Sequence, residues 1–128
     1  MALQDYSLKE GLTATLAAVL ANLTVVAISQ NLLMTSGEFM PLTYGPVALF
    51  TAIAGVLGFG VWELFKKYRK EYQRDYLLLV SVVTLLSYAT VIFATGEPGS
   101  GMLEVIMLSL THANAAVVYT AVLLQADN

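Results

Sequence analysis

Long apolar segments separated by short polar ones form the pattern of this chain. Each of four segments has roughly the 20 apolar residues that a hydrocarbon layer of about 30 Å requires of a spanning helix. Their approximate ranges are 8–30, 46–65, 76–94 and 102–125. They lack the apolar–polar alternation of lipid-facing strands, and a helix satisfies its own backbone polar groups. We therefore expect an all-α, polytopic membrane protein with four transmembrane helices in an antiparallel bundle.

Local signals predict where these helices begin and end. Ser7 and Glu10 fit a capping box at the start of the first helix. Proline is favoured in the first helical turn, so the second helix is expected to begin near Pro46. We expect this helix to leave the membrane and continue to about residue 74. Asp75 is the expected N-cap of the third helix.

Composition supports a membrane protein. Charged residues make up 12% of the chain, whereas a soluble domain carries about 25%. Mean hydropathy is +0.73. The length predicts a single membrane domain over residues 1–128. The sequence contains no cysteine, which excludes disulfides and thiolate chemistry.

Basic residues are confined to one predicted side of the membrane. Lys9 lies at the start of the first helix, and the other five lie between the second and third helices: Lys66, Lys67, Arg69, Lys70 and Arg74. The two remaining connections carry Glu38 and Glu97 but neither lysine nor arginine. Because basic loops stay in the cytoplasm, we predict a multi-pass protein of the plasma membrane with both termini cytoplasmic.

The basic segment allows two interpretations. Tyr68, Tyr72 and Tyr76 recur every four residues beside it. Tyrosine is enriched at the membrane interface, where its ring anchors at the level of the lipid headgroups. The five basic residues would then contact an anionic lipid headgroup or an acidic partner. The simpler interpretation, which we favour, is a topology signal on a solvated helix, because Glu63 and Lys67 form an ordinary i, i+4 pair.

Two polar side chains lie near the middle of predicted spans, Asn22 in the first helix and His112 in the fourth. An unpaired amide or imidazole in hydrocarbon costs several kcal/mol, so each needs a partner. The simplest partner for each is the other, or a hydroxyl of one of these residues: Thr24, Ser81, Thr84, Ser87, Tyr88, Ser109 or Tyr119. Ser109, His112 and Tyr119 share a helix face by their three-and-four spacing. These residues therefore form a candidate polar site within the membrane.

Two hypotheses account for this candidate site. In the first, Asn22, His112 and Tyr119 line a cavity that binds a small ligand or relays protons, because histidine titrates near neutral pH. In the second they only join helices, through hydrogen bonds worth about 0.6 kcal/mol each on average. The second is favoured, and a cavity beside His112 would reverse that preference.

Small residues predict where helices approach closely. The first helix carries Ala18 among several alanines, and the second carries Ala48, Ala52 and Gly55. Lipid supplies no hydrophobic drive between helices, so such residues mark close backbone contacts within one bundle or between subunits.

Three features resemble a family of small four-helix prokaryotic integral membrane proteins of unknown function. They are Asn22, the entry Pro41–Val47 into the second helix, and Leu110–Ala116 in the fourth. The resemblance covers essentially the whole chain and implies the four-helix fold, but it brings no activity. It implies that Asn22, Pro46 and His112 belong to a shared pattern. The Tyr- and Lys-rich connection between the second and third helices departs from that pattern.

The remaining residue patterns bear on the class of function. The sequence has no nucleophile–base set, no cluster of metal ligands and no phosphate-binding glycine loop, so we expect neither an enzyme nor a cofactor. Nucleic acid is not an expected partner. A structural or accessory subunit, packed in the bilayer in a larger membrane complex or homo-oligomer, is favoured because the spans carry no midplane carboxylate. The alternative is a minimal oligomeric transporter or channel for a small solute or protons, using Asn22 and His112.

The predicted orientation can be tested in a chain without cysteine. Single cysteines in place of Lys67 and Glu97 should differ in accessibility to a membrane-impermeant thiol reagent applied to intact cells, because the two positions face opposite sides. We expect labelling at position 97 and none at position 67 until the cells are lysed. Labelling of position 67 in intact cells would contradict the orientation.

Overall fold

A computed structural model gives the fold of residues 2–35 and 37–127, and it describes the side chains of residues 8–35 and 37–126. These residues form four α-helices, one short 3-10 helix and no β-strand. In chain order the elements are α1 (Ala2–Asn31), the 3-10 helix Met40–Leu42, α2 (Tyr44–Tyr68), α3 (Tyr72–Ala94) and α4 (Met102–Asp127). All four α-helices are long and apolar enough to cross a membrane. The predicted all-α bundle of four transmembrane helices is thereby confirmed.

The two ends of the bundle differ in charge. Residues 69–71 connect α2 to α3 among the basic side chains, and we call this side the basic end. The connections 32–43 and 95–101 lie at the other end and carry Glu38 and Glu97, so we call it the acidic end. This separation is the basis of the predicted orientation, which stays a prediction.

A tight turn joins α2 to α3, where the sequence predicts a helix to about residue 74. The structure differs, because α2 ends at Tyr68 and Arg69 adopts an extended conformation (φ −114°, ψ 130°). The guanidinium Nε of Arg69 lies 2.9 Å from a carboxylate oxygen of Asp75 and bridges the turn. The expected N-cap at Asp75 is wrong, because α3 begins at Tyr72 and Glu71 occupies the N-cap position. Asp75 lies in the first turn, where the helix dipole favours an anion.

An aromatic cluster explains why the chain turns there. Trp62 of α2 packs edge-on against Tyr72 and Tyr76 of α3, with ring centroids 5.5 and 4.9 Å apart. A continuous helix would carry these tyrosines away from Trp62. Tyr76 is 2% exposed, whereas Tyr68 is 70% exposed. The tyrosine row expected at the headgroup level is thus divided, because two of its three rings fold inward, and only Tyr68 points out of the bundle.

The start of α1 also differs from its prediction, whereas the start of α2 lies close to it. α1 begins at Ala2, so Ser7 does not cap it, and the side chain of Ser7 is outside those described. α2 begins at Tyr44, which leaves Pro46 in the first turn, where its missing amide hydrogen forfeits no helical hydrogen bond.

α1 is the helix around which the bundle packs, because its contacts with α4 and α2 are the most extensive. One side of α1 is buried at intervals of three and four residues: Gly11, Ala14, Ala18, Asn22, Val26 and Ser29. Most of these side chains are small, which lets neighbouring backbones come close. In α2, Gly55 is buried, whereas Ala48 and Ala52 are half-buried.

Two apolar clusters hold the ends of the bundle. The acidic-end cluster combines residues of all four helices with Phe39 and Leu42 from the connection before α2, and both of these side chains are fully buried. The basic-end cluster contains the Trp62 and Tyr76 rings together with residues of α1 and α4. Because apolar packing is concentrated at the two ends, the middle of the bundle between α2 and α3 is free to hold a cleft.

The contact between α1 and α2 predicts a cost for enlarging Gly55. A Cβ atom there would lie 2.6 Å from the hydroxyl oxygen of Thr15, so Gly55→Leu should destabilise the bundle by about 1–3 kcal/mol through overpacking. Thermal unfolding of the purified protein in detergent measures this change.

Gly60→Leu is the matched control, because the space around Gly60 on the same helix is open. It should leave stability unchanged or raise it by up to about 1 kcal/mol, since leucine has the higher helix propensity. Equal unfolding temperatures for the two variants would show that Gly55 does not lie at a close helix contact.

Candidate functional site

A cleft of about 1000 Å³ lies between α2 and α3 and extends from Tyr76 toward Glu97. Residues of α4, with Ala18 and Asn22 of α1, form its floor. Exposed apolar side chains line its rim, among them Phe50 of α2 and Val83 of α3. The cleft therefore opens sideways, toward the lipid that surrounds a transmembrane bundle.

The walls of the cleft are mainly apolar, with a group of polar side chains partway along it. Those near the boundary of α3 and α4 are Thr84, Ser87, Thr111 and His112. Among the described lining residues Glu97 is the charged one, and it follows the end of α3 at the acidic end. Apolar walls with a few convergent polar groups are typical of small-molecule sites.

His112 is held on the cleft wall by α3. Its Nδ1 atom lies 2.8 Å from the hydroxyl oxygen of Ser87, and its ring lies 5.8 Å from the ring of Tyr88. The Ser87 hydroxyl donates its own proton to the backbone oxygen of Thr84, at 2.6 Å. The donor and acceptor roles in the Ser87–His112 contact depend on the tautomer of the ring: with the proton on Nδ1, the Ser87 oxygen accepts and Nε2 is the acceptor of the neutral ring.

Two tyrosines bind the backbone of α2 near the basic end of the cleft. The hydroxyl of Tyr119 donates to the backbone oxygen of Gly55 at 2.6 Å, and that of Tyr76 donates to Gly58 at 2.9 Å. A Cβ atom on Gly58 would lie 3.2 Å from the Tyr76 hydroxyl, so glycine permits this approach. These hydrogen bonds join α3 and α4 to α2, because the tyrosine hydroxyls donate to backbone carbonyl oxygens within α2.

Asn22 joins three helices in the floor of the cleft. Its amide nitrogen donates to the Thr51 hydroxyl of α2 at 3.0 Å, and its oxygen accepts from the amide of Asn114 in α4 at 3.1 Å. Asn22 is 2% exposed. Neither partner was expected from the sequence, although Asn114 lies in the same motif as His112.

The four residues of the predicted polar site belong to four separate hydrogen-bonded groups. Asn22, His112 and Tyr119 all line the cleft, but their polar atoms bond to other residues. Asn22 and His112 therefore do not pair with each other: His112 contacts the Ser87 hydroxyl, one of the alternatives expected, whereas Asn22 bonds to Thr51 and Asn114, which were not. Ser109 is away from the cleft lining; its hydroxyl donates to Val105 in the preceding turn, and its backbone oxygen accepts from Tyr88.

The basic residues lie at the basic end, apart from this polar group. Arg69 and Arg74 pair with Asp75, Arg74 also pairs with Glu71, and the Lys66 amine lies 3.7 Å from Glu63. The Lys67 amine lies 5.3 Å above the Tyr68 ring, and Lys70 is exposed. Exposed ion pairs of this kind contribute about 0–1 kcal/mol, so their main effect is to compensate charge at the turn.

The Asn22 contacts predict a specific pattern of coupling. Asn22→Ala and Asn114→Ala should each destabilise by about 0.6–1.7 kcal/mol, and their effects should be non-additive because the two amides touch. Thermal unfolding of both single variants and the double variant in detergent measures the coupling.

The matched comparison pairs Asn22→Ala with His112→Ala, whose effects should add because these side chains have different partners. Additive effects of the Asn22 and Asn114 substitutions would contradict the contact between the two amides.

Comparison with known proteins gives the family of the chain. No curated protein and no solved structure matches the chain. One family model matches residues 5–127, a range that includes every residue lining the cleft. The resemblance found in the sequence motifs is confirmed, and the chain belongs to a family of unknown function (DUF6069).

Proposed function

We propose that this protein binds a largely apolar small molecule within the membrane, in the cleft between α2 and α3. One observation carries the proposal: the half-buried His112 lines the mainly apolar cleft, with Nδ1 2.8 Å from the Ser87 hydroxyl oxygen. We take Nδ1 to carry the ring proton, so that Nε2 is an acceptor among mainly apolar walls, and the site favours a molecule that donates a hydrogen bond.

The size and position of the cleft support this function. Ligand sites commonly have volumes of about 300–1000 Å³, so a cleft of about 1000 Å³ holds a molecule at the large end of that range. The exposed rim residues Phe50 and Val83 face the region where the bilayer lies. An apolar molecule dissolved in lipid would reach the cleft without crossing water.

The observed contacts favour binding over a proton path through Asn22 and His112. Both polar atoms of the Asn22 amide are engaged by Thr51 and Asn114, so this residue supports the bundle. The Trp62 and Tyr76 rings pack together at the basic end of the cleft. Transport through the basic end would require these rings to separate, whereas binding from the bilayer requires no such step.

An accessory or oligomeric role is the second candidate, and the exposed surface of α3 favours it. Leu85, Leu86 and Phe93 are 70%, 70% and 83% exposed, and the apolar part of α3 is the least buried of the four helices. A helix from another subunit or a second copy would then fill the cleft. We rank this candidate lower because lipid itself covers an apolar helix face without cost, whereas it offers His112 no hydrogen-bond donor.

Two matched alanine substitutions test the proposal. Ala54 lines the cleft and Ala89 does not, and both are exposed within membrane spans. Ala54→Trp should fill the cleft and exclude the ligand, whereas Ala89→Trp should retain it. Native mass spectrometry of the full chain, extracted with its surrounding lipid, measures the bound species.

We expect a small molecule on the wild type and on Ala89→Trp at several times its level on Ala54→Trp. A second polypeptide displaced by Ala54→Trp would support the accessory role instead. Equal occupancy in all three proteins, or no bound molecule in any of them, would contradict binding in the cleft.

A further inference from the structure

We propose that the ligand of this cleft is an uncharged lipophilic molecule with a hydroxyl group, such as a long-chain alcohol or a phenol, whose O–H donates to His112 Nε2. This inference rests on the proposed function and assigns the chemical class of its ligand. It follows from the direction of the hydrogen bonds around His112 and from the distribution of charge along the cleft.

The hydrogen bonds of Ser87 set the polarity of the site. A hydroxyl has one proton to donate, and Ser87 directs it to the Thr84 backbone oxygen at 2.6 Å. We assign the proton to Thr84 because this contact is shorter than the 2.8 Å contact with His112, which Nδ1–H then supplies. A neutral imidazole with its proton on Nδ1 accepts at Nε2, so the complementary ligand group is a donor. An ether or a hydrocarbon offers none.

The charge distribution excludes an ionic headgroup at this depth. None of the described side chains that line the cleft belongs to lysine or arginine, so an anionic headgroup would be buried without a cation. The carboxylate of Glu97 lies beyond the end of α3 at Ala94, about 10 Å along the helix from Ser87. A cationic headgroup beside His112 would therefore lack a counter-ion, and a neutral donor fits best.

The position of His112 along its helix determines the shape of the ligand. The residue lies about 15 Å along α4 from Met102, well inside a hydrocarbon layer of about 30 Å. A hydroxyl bound there is carried below the lipid headgroups. The rest of the molecule would lie against the apolar walls, which include Leu57 and Val83. A small polar group on a long apolar body satisfies both requirements.

Photolabelling of the full chain in phosphatidylcholine nanodiscs tests this assignment. The probes are a 16-carbon alcohol carrying a diazirine in its chain and the methyl ether of the same molecule, which has no donor. Labelled peptides are mapped by mass spectrometry. A hydrogen bond of about 1 kcal/mol corresponds to roughly a fivefold preference, so the alcohol should label cleft residues about five times more than the ether.

Substitutions identify the acceptor. His112→Phe keeps an aromatic ring but removes Nε2, so the preference for the alcohol should fall to about one. Ser87→Ala keeps the histidine and removes the group that orders its tautomer, so the preference should fall while cleft labelling persists. Ser81→Ala is the matched control, because this exposed serine of α3 bonds to its own helix, away from the cleft lining, and should leave the preference unchanged.

The possible outcomes separate the two proposals. Equal cleft labelling by alcohol and ether, or a preference for the ether, would overturn the hydroxyl assignment and leave binding in the cleft intact. A fivefold preference that survives His112→Phe would overturn the role of Nε2. Labelling by both probes that is no stronger in the cleft than around the lipid-facing Ala89 would overturn the proposed function as well.

Discussion

The close approach of α1 to α2 and α4 is the constraint on which the rest of this structure depends. Helices in lipid gain no hydrophobic free energy from association, so van der Waals contact and hydrogen bonds must hold them together. The buried side of α1 provides both. Gly11 leaves room for the Phe59 ring of α2, Ala14 is fully buried, and Asn22 donates to Thr51 while accepting from Asn114. This amide joins three helices at a depth where an unpaired polar group would be costly.

α3 is held differently, and the cleft is a consequence. Its Tyr72 and Tyr76 rings pack on Trp62, and the Arg69–Asp75 ion pair bridges the turn before it. Elsewhere α3 contacts α4 more than α2. The helix is thus secured to α2 near the basic end by aromatic packing, and the space between the two helices is left to an apolar cleft. Such a cleft is stable in a bilayer because lipid or a ligand can fill it.

His112 combines a structural contact with an available hydrogen-bonding atom. Its Nδ1 joins α4 to Ser87 of α3, as an interhelical hydrogen bond would, yet its side chain lines a cleft. The two hypotheses for this residue are therefore not exclusive. With the ring proton on Nδ1, the bond that joins the two helices also leaves Nε2 as an acceptor. The proposed binding function rests on these two roles of His112, the contact that joins α4 to α3 and the ring nitrogen that is left to bind a ligand.

The sequence by itself determined the fold class, since four apolar runs of membrane-spanning length leave a helical bundle as the solution in lipid. It also singled out Asn22 and His112, because polar atoms at that depth need partners. Only the tertiary structure decided which partners they have, since hydrogen bonds between helices depend on rotation about each axis and on crossing geometry. Helical periodicity alone could not predict that Asn22 bonds to Asn114, or that the Tyr76 ring is buried in the bundle. The cleft exists only between folded helices, so no pattern along the chain could reveal it.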